Sequence, residues 1–198
     1  MGRSRCESSG QVTAIFSPES PLLQKAVIEV FWSRPNSINR SQISFCKQLE
    51  VLIRESGLLP ITLGVTHSAN SVPSVAVQDS LSKCRGAIIL GLRQIHIADG
   101  IEKKGSKSAR ILKDEYLPTA WNQIEAGMAL MRGIPVMLIA ESGVKVGVFE
   151  SGATDRFVHR ASSLSKAWLD SSQFQQPFAV WVKDVKKFRH SEEVLDRN

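Results

Sequence analysis

An α/β domain of three layers, with helices on both faces of a central parallel sheet, is predicted by three features of this 198-residue sequence. Short apolar runs alternate with stretches of helical period, which implies right-handed crossovers and parallel strands. Two of the runs, residues 86–90 (GAIIL) and 134–140 (IPVMLIA), are apolar throughout, the pattern of strands covered on both faces. Residues 118–141 read as a helix entering one of those strands: Thr119 is the N-cap, Gly133 ends the helix, and Pro135 prevents its restart. The expected strand order is 2-1-3-4-5, as in flavodoxin-like folds.

Length favours one domain with a sizeable core. Residues 1–24 carry Ser, Pro and Gly without a sustained period and are expected to be a mobile arm, with a short strand at 12–16 as the alternative. Residues 25–190 are assigned to the domain and 191–198 to a tail. The formal charge of +6 is compatible with an anionic substrate. Its densest cluster, Lys183, Lys186, Lys187 and Arg189, reads as a solvated helix face with few aromatics interleaved, so nucleic-acid binding is not expected. Cys6, Cys46 and Cys84 have no paired spacing, which argues for a reducing compartment and against a zinc site; Cys46 and Cys84 sit in apolar patterns as core residues. No apolar run is long enough to span a bilayer and no signal sequence is visible, so the expectation is a cytoplasmic protein without membrane partners.

In chain order, residues 26–32 (AVIEVFW) are the first strand, followed by a turn at Ser33, Arg34, Pro35 and Asn36. Residues 40–56 form an amphipathic helix with Ile43, Leu49, Leu52 and Ile53 inward, ended by Gly57; residues 58–63 are the second strand. A polar loop at 67–74 leads to a helix at 75–84 and the third strand at 86–90. Residues 99–114 hold Lys103, Lys104, Lys107, Arg110 and Lys113 among Gly and Ser, and are expected to be a long flexible excursion. On the next helix Trp121, Ile124, Met128 and Met131 form the predicted buried stripe, with Glu125 at its edge. A short fifth strand at 156–159 and a helix at 164–171 follow; residues 176–182 carry no clear pattern, and the last fifteen are expected to be helical or frayed.

In open parallel sheets, ligands bind beyond the carboxyl ends of the strands, near the reversal of strand order. There the sequence places Ser33, Arg34 and Asn36 after strand one, Gly64 and His67 after strand two, Arg93 and Gln94 after strand three, and Glu141 after strand four. Arg34 and Arg93 flank the reversal, either as a bidentate phosphate clamp or as two solvated arginines. Dinucleotide, P-loop, nucleophile-elbow and metalloprotease motifs are absent, and the four histidines lack ligand spacing. No cofactor or metal is expected. Glu125 either reaches water from the border of the core or faces a ligand.

A single carboxylate is enough for one reaction class. Cleavage of the glycosidic bond of NAD expels nicotinamide as a neutral molecule that needs no proton. The barrier is then chiefly the positive charge that grows on the ribose, which a nearby carboxylate stabilises.

The spacing Trp121-x-x-x-Glu125, just before a strand opening Ile134-Pro135-Val136, resembles the Trp-x-x-x-Glu helix of TIR domains. Val30-Phe31-Trp32-Ser33 is similar to that family's first strand ending in Ser, and the helix at 45–57, the loop at 67–73 and the run 84–90 follow in the family's order. The resemblance covers residues 26–141. It implies a TIR-like flavodoxin-type fold in which Glu125 is catalytic; taken together with the strand-end positions, the candidate nucleotide contacts are Ser33, Arg34, Arg93, Trp121 and Asn122. It further implies NAD as a substrate rather than a cofactor, homo-oligomeric assembly, and a role in bacterial antiphage defence or nucleotide signalling by glycoside hydrolysis or cyclisation. Glu-Ala-Gly-Met-Ala followed by Gly-Ile-Pro-Val also resembles nucleoside 2-deoxyribosyltransferases, where a helix-borne Glu attacks the anomeric carbon. A third expectation, from another class, is a non-catalytic module that binds nucleotides or assembles through a TIR-like surface.

Overall fold

The computed structural model describes residues 27–63 and 72–189. The arm, its alternative strand, most of the polar loop with His67, and the tail lie outside these residues.

The elements run β1 (Ile28–Ser33), α1 (Arg40–Glu55), β2 (Leu58–Ile61), α2 (Pro73–Lys83), β3 (Ala87–Gly91), β4 (Ile95–Glu102), β5 (Arg110–Leu117), α3 (Ala120–Met131), β6 (Val136–Glu141), a 3-10 turn (Gly147–Phe149), β7 (Val158–Ala161), α4 (Lys166–Asp170) and α5 (Ser172–Lys187). Five strands form a parallel sheet in the order β2-β1-β3-β6-β7, the predicted 2-1-3-4-5 once the separate β4-β5 pair is set aside. Alternating side chains leave the sheet on opposite faces. Val30, Trp32, Ile88, Leu90, Met137 and Ile139 meet α1, α4 and α5 in one core. Phe31, Ile89, Leu138 and Ala140 meet α2 and α3 in the other. The three-layer α/β architecture follows directly from that alternation.

Local chemistry sets the boundaries. Asn39 caps α1, its side chain accepting from the Gln42 N–H, and Gly57 turns the chain at φ 76°. Thr119 caps α3 through the Asn122 N–H, and Gly133 follows the helix at φ 66°. Both α3 boundaries agree with the sequence reading.

Three expectations are corrected, and one stretch without a clear pattern gains an assignment. Residues 99–114 belong to an antiparallel hairpin paired from Ile95↔Leu117 to Glu102↔Arg110, not to a flexible excursion. Lys103 and Gly105 take the positive φ values of its turn, 53° and 82°. Arg110 pairs across the hairpin with Glu102 at 3.0 Å and along its own strand with Glu115 at 3.1 Å, and His96 meets Asp114 across the hairpin at 3.2 Å, so charged side chains, Arg110 among them, help to hold the two strands together. The hairpin is anchored at its base by the Gln94 N–H to the Leu117 carbonyl and by the Tyr116↔Val144 bridge.

On α1, Ile43 is exposed; Gln42, Phe45, Cys46, Leu49 and Ile53 face inward. Residues 176–182 lie inside α5, where Phe174, Phe178 and Trp181 stack in sequence and bury one helix face despite Pro177.

The third correction concerns α3. Its buried face is Asn122, Ala126 and Ala129, whereas Trp121 and Ile124 are each 43% exposed and Met131 is 88% exposed. Small side chains let the helix axis approach the sheet, and the bulky residues are turned away from it. Trp121→Ala is therefore expected to cost clearly less than the about 3–5 kcal/mol that loss of a buried ring costs. Thermal unfolding of the purified variant checks this.

Among the described residues, no helix is long and apolar enough to cross a membrane.

Candidate active site

β1 ends at the reversal of strand order, between β2 and β3, and its last residue is Ser33. Register pairs Ser33 with Ile89, which places it on the α3 side of the sheet. Asn122, in the first turn of α3, is 1% exposed; its Nδ2 donates to Ser33 Oγ at 2.9 Å. One turn later Glu125 reaches the same hydroxyl, and Ser33 Oγ donates to Glu125 Oε2. Thr119, the N-cap, donates through Oγ1 to Asn122 Oδ1 at 2.8 Å.

These bonds form a directed chain. The Asn122 amide is oriented because Thr119 fills its oxygen, so its Nδ2 must donate. Ser33 Oγ accepts that bond and turns its own hydrogen to the carboxylate. Glu125 is thus held by three residues from β1 and the start of α3. Among the described residues its Oε1 takes no hydrogen bond. Burial raises the Glu125 pKa above the ordinary carboxylate range, and the Ser33 bond opposes that rise.

Arg34 follows Ser33 and leaves the strand on the opposite face. Its guanidinium carbon lies 5.1 Å from the centre of the Trp32 ring. Arg34 Nε is buried with no hydrogen-bond partner among the described residues. A buried guanidinium donor left open in this way suits an oxyanion.

Arg93 belongs to a separate cluster at the carboxyl ends of β3 and β6. Its Nε donates to the Ser142 carbonyl at 2.6 Å, and its guanidinium lies 4.2 Å above the Tyr116 ring. Glu141 Oε2 accepts from the Arg93 backbone N–H at 2.9 Å and from Gln42 Nε2 at 3.0 Å. Glu141 therefore ties α1, β3 and β6 together. Ser33, Asn122 and Glu125 come together as one unit, then, while Arg34 and Arg93 stand in different surroundings and Trp121 lies on the outer side of α3.

Gln42, fully buried, and Thr119 had no assigned part in the site. For Thr119 the signal was present, since an N-cap three residues before an Asn places both side chains in one turn. Gln42 offered none beyond being polar at an inward position of α1.

Other chemistries lack groups here. Cys46 and Cys84 are buried; burial pushes the Cys46 thiol up and the Cys84 thiol to about 12, away from the thiolate a nucleophile requires. No group of three or more His, Cys, Asp or Glu among the described residues is placed to hold a metal ion. Comparison with protein-family models found no match to the chain, and comparison with curated proteins found none either.

Proposed function

We propose that the protein is an N-glycosidase of a nicotinamide dinucleotide, with Glu125 as the carboxylate that stabilises the charged ribose. The observation that carries this reading is the Ser33–Glu125 hydrogen bond at the carboxyl edge of the sheet, beside the reversal of strand order. A desolvated carboxylate held by a positioned hydroxyl is an electrostatic group prepared for positive charge. In the proposed step the C1′–N bond breaks and its electron pair leaves with nicotinamide, which becomes neutral. The ribose carries oxocarbenium-like charge beside Glu125. Water then adds at C1′ and loses a proton, giving ADP-ribose; attack by a ring nitrogen of the same molecule gives a cyclic product instead.

The substrate straddles the strand edge in this reading, with the reacting ribose on the α3 side and a phosphate at Arg34. Arg34→Ala should then weaken dinucleotide binding by about 1.5–3 kcal/mol, the range for hydrogen bonds to charged groups. Calorimetry on the folded variant measures this, and an unchanged Kd removes Arg34 from the site. The resemblance of Trp121-x-x-x-Glu125 to TIR domains supports the same residue and extends the proposal to a cytoplasmic defence or signalling enzyme that works as a homo-oligomer. The resemblance to deoxyribosyltransferases supports a second reading, in which Glu125 forms a covalent bond to a deoxyribose.

Incubation with NAD, and separately with a deoxynucleoside plus a free base, distinguishes them by mass spectrometry of the products. Free nicotinamide is expected from the first mixture and no base exchange from the second. Exchange of base without NAD cleavage would transfer the assignment to the second reading, and binding without turnover to a non-catalytic module.

A further inference from the structure

Beside the open edge of β7, away from Glu125, lies a cavity of about 500 Å³. Ser151, Arg156, Phe157, His159, Trp168 and Gln173 contribute to its wall, with Arg160 beneath, and no acidic residue lines it among the described residues. Trp168 is only 5% exposed, and its Nε1 has no hydrogen-bond partner among the described residues. Arg156 Nε is likewise buried without a hydrogen-bond partner. Asp155 Oδ1 lies 3.4 Å from it as a charge contact that forms no hydrogen bond. Both residues line the cavity, and a buried N–H donor is costly unless something accepts from it.

The Arg160 guanidinium is already committed: it donates to the carbonyls of Val144 and Phe149, both at 2.8 Å. It still adds positive charge to the wall while fixing the chain that forms it. Burial holds His159 below its usual pKa and so favours the neutral ring, which can either donate or accept. At the side, Phe157 is 77% exposed, its ring 5.0 Å from the His159 ring and tilted at 60°. An exposed aromatic ring next to unpartnered donors supplies a stacking face beside an anion site.

We infer that this cavity is a second ligand site, separate from the candidate active site, for a small molecule that joins an oxyanion to a planar ring. The oxyanion, a phosphate or a carboxylate, accepts from Trp168 Nε1 and Arg156 Nε, and the ring covers Phe157. This inference does not depend on the reaction proposed for Glu125.

The indole N–H resonances of protein labelled with nitrogen-15 at tryptophan test it without any activity readout. The four tryptophans give separable probes: Trp181 Nε1 already donates to the Pro135 carbonyl at 3.1 Å, Trp121 is on the outer face of α3, and Trp32 lies under Arg34. Trp168→Phe assigns the signal of interest. Titration with phenyl phosphate or benzoate is expected to shift the Trp168 signal saturably, and the tighter of the two identifies the oxyanion. Inorganic phosphate should bind more weakly, and phenol should leave the signal in place. Arg156→Ala should weaken the better ligand by at least about tenfold, the effect of removing a charge-assisted bond. Arg156→Lys, which keeps the charge and loses the planar donor, should recover part of that affinity. The inference is overturned if neither anion moves Trp168 at millimolar concentration, if only Trp32 moves, or if folded Arg156→Ala titrates as the wild type does.

Discussion

Glu125→Gln is expected to lower kcat for NAD cleavage by at least about a hundredfold, on the order of 3 kcal/mol at the barrier, with a much smaller change in substrate affinity. The substitution keeps the size of the side chain and an oxygen able to accept from Ser33. It removes the negative charge, whose value to the reaction is greatest when the ribose is most positive. Stability should move the other way. Burial holds the folded-state pKa of Glu125 above its unfolded value, so the folded protein binds this proton more tightly. Stability is therefore lost as pH rises through the interval from the unfolded to the folded pKa. At pH 7 the Gln variant should unfold at the same temperature as the wild type or higher. The gap should close on acidification below the ordinary Glu pKa, where the wild type is also neutral. Glu141→Gln is the control, since Glu141 receives the Arg93 N–H and Gln42 as part of the fold. A variant at Glu125 that is destabilised yet as active per folded molecule as the wild type would make Glu125 structural.

Phe149→Ala is expected to have the largest effect on stability, about 3–5 kcal/mol by analogy with other buried aromatic truncations. Phe149 is fully buried between the sheet and α3, at the end of the 3-10 turn. An ideal Cβ at Gly91 would lie 2.7 Å from Phe149 Cε2 and Cζ, so the ring occupies the space a larger residue would need on β3. Gly91→Ala alone should be destabilising by about 1–3 kcal/mol through overpacking. Together the two changes should cost less than their sum, because the new methyl group fills part of the cavity left by the ring. Urea unfolding of the four proteins in this cycle checks the sign. Full additivity would show that the ring does not set the space above Gly91.

The α3–β6 unit was legible in the sequence because its punctuation is local. Thr119, Gly133 and Pro135 each act within a turn of where they stand, and the apolar run after them has one structural meaning in a parallel sheet. The same reasoning inverted the faces of α3. Large apolar residues were assigned inward, but close helix–sheet packing selected Ala126 and Ala129, and Trp121 and Met131 were left outside. The β4–β5 hairpin was missed for a related reason. Its pairing is supported by ion pairs and a stacked His96–Tyr116 contact at 4.8 Å, not by an alternating buried face, so it has little of the periodic signal that marks a strand.

At the candidate site the sequence marked Glu125 and Ser33 separately. Their bond joins residues 92 positions apart, and the Asn122–Ser33 bond spans 89. Proximity of that kind comes from strand order and register, which place the end of β1 under the first turns of α3. The different settings of Arg34 and Arg93 were illegible for the same reason. Both follow central strands, yet Arg93 is drawn into the Tyr116–Ser142 contact by a hairpin that had not been foreseen.

The most direct measurement of the central claim is the release of nicotinamide when NAD is mixed with a molar excess of the wild-type protein, followed by mass spectrometry over time. The proposal predicts loss of the NAD mass with one equivalent of free nicotinamide and one of ADP-ribose or its cyclic form. NAD that is bound at saturation and recovered intact would contradict it.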